Sequence, residues 1–134
     1  MAVQLSTTIR NARLDVVEST IGTAPILTIR TAAPPANCAA ANAGTVLATI
    51  TLPSDWMAAA SGGNKIISGA PWTDSSADNS GTAVHFRIHD SSGTTCHMQG
   101  IVGVGTGDLQ LTTTTITAGQ PVTVTSFTLT DGNA

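Results

Sequence analysis

The stretch AVHFRIHDSSGTTCHMQGIV, residues 83–102, alternates apolar and polar side chains on either side of a polar centre. A period of two marks a half-buried strand, because successive side chains of a strand point to opposite faces. A three-residue loop of Ser91, Ser92 and Gly93 would join two such strands, with Gly93 where the chain needs a positive φ. That loop pairs Ile88 with Cys96, Phe86 with Met98 and Val84 with Gly100, all on one face. A slip of one residue would set Ile88 against His97 and mix the faces. The expected core face therefore holds Val84, Phe86, Ile88, Cys96 and Met98. His85, Arg87, His89, His97 and Gln99 share the outer one.

The same period recurs along the chain. ILTIRT at 26–31, TVLATITL at 45–52, KIIS at 65–68, DLQLTTTTIT at 108–117 and VTVTSFTLT at 122–130 all read as strands. Many of the 23 threonines alternate with Val, Ile or Leu, as suits the solvent face of a sheet. The segment 32–44 is a loop, since Pro34 and Pro35 lack the N–H donors a sheet interior requires. The polar segment 73–81 reads as an exposed loop and the Gly-rich 103–108 as a hairpin connection. Seven or eight short strands without helical crossovers predict an all-β, antiparallel β-sandwich, jelly-roll-like, in one domain spanning 1–134.

Before Pro25 the period is helical. In 5–21, Leu5, Ile9, Ala12 and Val16 form one stripe, and Leu14, Val17 and Ile21 a second, narrower one. Gly22 stops the helix. Residues 1–22 are thus an N-terminal helical arm: one face can pack on the domain and the other on a partner, or both stripes sink into one concave site of the same fold. A short second helix is expected near Trp56, opened by Ser54 and Asp55 and closed by Gly62 and Gly63.

Composition excludes several functions. Net charge is −3, and the five basic residues form no stripe, so no nucleic-acid groove is expected. No apolar run approaches the length of a membrane span, and residues 1–13 lack the apolar stretch of a signal peptide. The chain is therefore expected to be made in the cytoplasm, with Cys38 and Cys96 as free thiols; the alternative is a late-forming disulfide tying a loop to a strand. Only 10% of residues are charged, a solubility risk for a free monomer unless partners cover its surface.

No constellation carries chemistry. His85 and His89 lie about 13 Å apart along one strand, too far to share a zinc ion, and Arg87 between them repels a cation. GVGTGD opens no helix that could cradle phosphate. Asp74 and Asp78 lack neighbours at calcium-loop spacing. No serine sits in a nucleophile elbow. Trp56 and Trp72 are a thin set for sugar stacking and are read instead as caps at the two ends of an aliphatic core. No catalytic residue, metal or cofactor is expected.

The segments LSTTIRNARLDVVESTIG (5–22), GTVLATITLPSDWMAAAS (44–61), AVHFRIHDSSGTTCHMQG (83–100) and TSFTLTDGNA (125–134) together resemble a family of small virion proteins of tailed phages and prophages. The resemblance implies a decoration (cement) protein on the head surface, partnered by the major capsid protein; the low charge density and the second apolar stripe of the helix add the expectation of a homotrimer. The alternative is a tail or fibre module that recognises a cell-surface glycan. The expected contact residues are Leu5, Ile9, Arg10, Arg13, Leu14 and Val17 in the helical segment and Pro34 and Pro35 in the loop. Segments 2–13 and 34–42 are poor in charge and rich in small side chains, so they approach another backbone with little desolvation.

Overall fold

In the computed structural model, which describes residues 3–69 and 71–132, one helix precedes ten strands. Helix α1 is Thr7–Ile21. The strands are β1 (Ile26–Arg30), β2 (Val46–Thr51), β3 (Asn64–Ile66), β4 (Trp72–Asp74), β5 (Gly81–Thr82), β6 (His85–His89), β7 (Cys96–Gly103), β8 (Leu109–Leu111), β9 (Thr115–Ile116) and β10 (Val122–Thr130). The Ser6 hydroxyl caps α1 by accepting from the Ile9 N–H, and Gly22 ends it at φ 91°.

The protein is mostly β, with a single N-terminal helix among the described residues. Its sheet differs from the two antiparallel layers expected. Eight strands form one curled, mixed sheet in the order β2-β1-β6-β7-β8-β10-β3, with β4 also paired to β10; β5 and β9 make a separate ribbon. Two features produce this. The 103–108 loop is no hairpin: it returns the chain parallel, so that Val102 pairs with Leu109. Gly105 and Gly107 take positive φ there, and a Cβ on Gly103 would collide with the Thr106 carbonyl. The nine-residue β10 then pairs with β8 along one edge and with β4 and β3 in succession along the other.

The far ends of the curled sheet approach each other. The edge strand β2 is covered by residues 74–79, the segment expected to be merely exposed. The Thr49 N–H donates to Asp74 Oδ2 (3.0 Å), the Thr49 hydroxyl to Asp78 Oδ2 (2.9 Å) and Asn79 Nδ2 to the Val46 carbonyl (2.8 Å). An unpaired strand edge would otherwise recruit another chain.

The β6–β7 hairpin keeps the expected inward positions of Phe86, Ile88 and Met98 but shifts the register by two. Ile88 faces Met98 and Phe86 faces Gly100. The loop is one residue longer than predicted, because Asp90 Oδ1 accepts from Ser92 Oγ and the Thr94 and Thr95 N–H groups. His97 adds a second residue as a β-bulge, since His89 pairs with Cys96 while Ile88 pairs with Met98. Beyond the bulge the alternation inverts, so Cys96 lies on the face of Arg87 and His89 and not in the core.

The core is less purely aliphatic than composition suggests. The protein's four aromatic side chains form one row: Trp56 to Trp72 (6.1 Å), Trp72 to Phe127 (6.0 Å) and Phe127 to Phe86 (5.5 Å, edge-on). Both tryptophans are buried side by side, not at opposite ends. Around the row pack Leu27 and Ile29 of β1, Ile50 of β2 and Leu109 and Leu111 of β8.

The expected short helix near Trp56 is absent. Residues 57–61 run extended beside 64–67, with Ala58 N donating to the Ile66 carbonyl and Ser61 N to that of Asn64. A helix capped at Ser54 would need the Ala58 and Ala60 N–H groups; these donate to the Ile66 carbonyl (2.8 Å) and to Asp15 Oδ1 of α1 (2.9 Å) instead. The Met57 N–H donates to Glu18 Oε1 of α1 (3.1 Å).

Candidate functional site

At 3.6 residues per turn, α1 has two unlike halves. Arg10, Asn11, Asp15 and Glu18 surround Leu14 on one half. Ile9, Ala12 and Val16 occupy the other, in line with Leu5 just before the helix. An amphipathic surface helix normally turns its apolar half inward. Here the inward side is mixed: Leu14, Val17 and Ile21 face the body together with Arg10, Asn11, Asp15 and Glu18.

The body supplies the reason. Lys65, only 2% exposed, places its ammonium 2.7 Å from Asp15 and 2.9 Å from Glu18. Burial opposes that charge, yet the hydrogen bonds to the two carboxylates outweigh it and raise the lysine pKa. The hydrogen bond from Lys65, with that from the Ala60 N–H, holds Asp15 below the usual carboxylate range. Asn11 Oδ1 accepts from the Gly63 N–H (2.9 Å), and the Trp56 indole N–H donates to the Gly22 carbonyl (3.1 Å). A depression of about 480 Å³ beside these groups is lined by Asp15, Glu18, Asp55 and Lys65, so its charges are largely committed to one another. The arm is therefore docked, with Leu14 and Ile21 buried beneath it.

The outward side carries an exposed apolar stripe, flanked by exposed Thr8, Arg13, Ser19 and Thr20. Val16 is 58% exposed and Ile9 49%, with Ala12 exposed between them and Val3 exposed ahead of the helix. Beside Val16, a shallow apolar depression of about 270 Å³ continues through Val17 and Ile21 to the bulged His97. Of the expected contact residues, Ile9 lies on this face, and Leu5 is half-buried at its start. Leu14 is buried, and Val17 packs against the core. Arg10 donates through Nη1 to the Asp131 carbonyl (3.0 Å), and the largely exposed Arg13 pairs with the Asp131 carboxylate (3.1 Å). Ala2 lies outside the described residues. Ala12 and Val16 belong on the face although sequence reasoning left them off the contact list. The helical wheel carries the signal, since no charged residue falls among Leu5, Ile9, Ala12 and Val16.

Pro34 and Pro35 are half-buried in a loop that covers the opposite face of the sheet. His85, Arg87 and His89, expected on an outer face, are buried under it. Arg87 donates to the carbonyls of Ala40 (3.1 Å), Asn37 (3.3 Å) and Cys38 (2.8 Å) and to Asn42 Oδ1 (2.7 Å). Gln99 Nε2 donates to the Pro35 carbonyl (2.6 Å), and His85 Nδ1 lies 2.8 Å from that of Ala32. Four oxygens around the guanidinium do the work of a counter-ion. The outer side of this loop still exposes Ala36, Ala39 and Ala41.

Family models, curated proteins and solved structures alike give no match to this chain. The likeness to phage virion proteins thus rests on the quoted segments alone. Among the described residues, no group of three or more His, Cys, Asp or Glu side chains is placed to hold a metal ion, and no helix is long and apolar enough to cross a membrane.

Proposed function

We propose that the chain is a non-catalytic structural subunit that attaches to a larger assembly through the outward face of α1, and that the assembly is a phage head whose shell subunits it bridges as a decoration protein. The observation that carries this is the apolar stripe of Ile9, Ala12 and Val16 left exposed on the outward side of α1. Leaving Ile9, Ala12 and Val16 exposed gains nothing for a free monomer. The protein gains when that face is covered. The 32–44 loop offers a second charge-poor surface on the opposite side of the sheet, as a bridging protein needs. The resemblance supplies the major capsid protein as partner and the head surface as location. The glycan-binding alternative loses its aromatic platform, because Trp56 and Trp72 are both buried.

Magnitudes favour attachment in several copies. Covering the exposed parts of Ile9 and Val16 contributes about 1 kcal/mol each. Micromolar binding needs about 8 kcal/mol. Linked copies, such as the homotrimer, multiply weak contacts through effective concentration.

The test adds purified chain to heads assembled without it. Wild-type chain is expected to co-sediment with the heads and raise their rupture temperature. An Ile9→Asp/Val16→Asp double variant should keep its own melting temperature and bind on the order of tenfold more weakly or worse. Heads that rupture at one temperature with and without the chain, or a double variant that binds like wild type, would overturn the reading.

A further inference from the structure

Cys96 reaches the face beneath the 32–44 loop only because His97 bulges. Without the bulge, alternation from Met98 would turn Cys96 into the core. Beneath the loop it meets Cys38: both half-buried thiols line one polar cavity of about 220 Å³ together with Arg87 and His89. Cys38 is held there because its own carbonyl accepts from Arg87 Nη2 (2.8 Å). The Cys96 thiol donates to the Met98 carbonyl (3.4 Å), and neither cysteine is in a disulfide.

We infer that Cys38 and Cys96 are the two halves of a redox clasp, which closes as an intrachain disulfide when the protein meets a low-molecular-weight disulfide. One thiol loses its proton, and the thiolate attacks a sulfur of the oxidant, releasing one thiolate as leaving group. The second protein thiolate then attacks the mixed disulfide and releases the other. Two electrons pass from the protein to the oxidant, which leaves as two thiols. The closed clasp covalently fixes the loop over Arg87. In reducing solution the loop is held by hydrogen bonds, among them those to Arg87, Gln99 and His85.

The site suits this chemistry. Both sulfurs are partly accessible, so a small oxidant can reach them. Cys38 sits among Ala36, Ala39, Ala40 and Ala41, whose small side chains let the loop close the remaining gap. Burial first, and then the neighbouring Cys96 thiol, push the Cys38 thiol above its ordinary pKa. The clasp should therefore close slowly at neutral pH and faster as pH rises.

The experiment incubates the full chain with oxidised glutathione at pH 8, against a dithiothreitol control. Mass spectrometry should show the loss of two hydrogens without a glutathione adduct, and peptide mapping should join Cys38 to Cys96. The protein should run as a single chain on non-reducing gels. The melting temperature should rise by on the order of 5–10 °C, because the link spans a long loop. Cys38→Ser and Cys96→Ser should each abolish that rise. Stable glutathione adducts on both cysteines, disulfide-linked dimers, or a closed link with no rise in melting temperature would each overturn the inference. The wild-type readouts decide the matter even if a variant fails to fold.

Discussion

Phe86 is 1% exposed, meets Phe127 edge-on and faces Gly100 across the hairpin. A Cβ on Gly100 would come 2.8 Å from the Phe86 ring, so the glycine makes room for it. Phe86→Ala should cost about 3–5 kcal/mol as a large-to-small core change, read from a denaturation midpoint; an unchanged midpoint would refute the packing. On the opposite face, burial first and the charges of Arg30 and Arg87 next depress the pKa of His85 and His89. The folded state therefore holds both imidazoles neutral, while the unfolded chain takes up protons near pH 6.5. Their contribution is complete above about pH 6.5 and is lost as pH falls through the lower folded-state values. Melting temperature should fall from pH 7 to 5, and a His85→Gln/His89→Gln variant should show a flatter slope. An equally steep slope in the variant would count against the assignment. At this scale the face of Phe86 was legible in the sequence, because alternation survives a shift of two. The burial of Arg87 was not, since its partners lie 45 or more residues away.

The decisive element is α1. Its end was legible from Gly22 and its helical character from the spacing of Leu14, Val17 and Ile21; its start lies at Thr7, behind the Ser6 cap, and not at Leu5. Its orientation was not, because nothing local reveals that Lys65 and three N–H groups of residues 57–63 wait beneath it. The same distant contacts explain why 54–61 carries helix-start residues yet forms no helix. Lys65→Met should test this docking. Removing one member of a buried ion pair costs about 3–5 kcal/mol, and the half-exposed Asp15 tempers that here to about 2–3 kcal/mol. Urea denaturation should show the loss, and adding Asp15→Asn and Glu18→Gln should recover part of it. If Lys65→Met alone is as stable as wild type, the network does not hold the helix.

At the scale of the whole molecule, the period of two made a β protein legible, while the sheet's connectivity stayed hidden in two places. The Gly103–Gly107 loop could equally have closed a hairpin; only the pairing of Val102 with Leu109 makes it parallel. Strand β10 reads as an ordinary alternating strand, yet it joins β8, β4 and β3. That arrangement has a consequence during synthesis. A ribosome delivers the nine earlier strands first, and β3, β4 and β8 emerge without the neighbour that completes them. Until residues 122–130 appear, the nascent chain carries open edges in a sequence with few charges to keep copies apart, so crowded polysomes are where this protein is most exposed to mispairing. Rapid completion of each chain, or a chaperone holding those edges, then decides how much of it reaches the folded state.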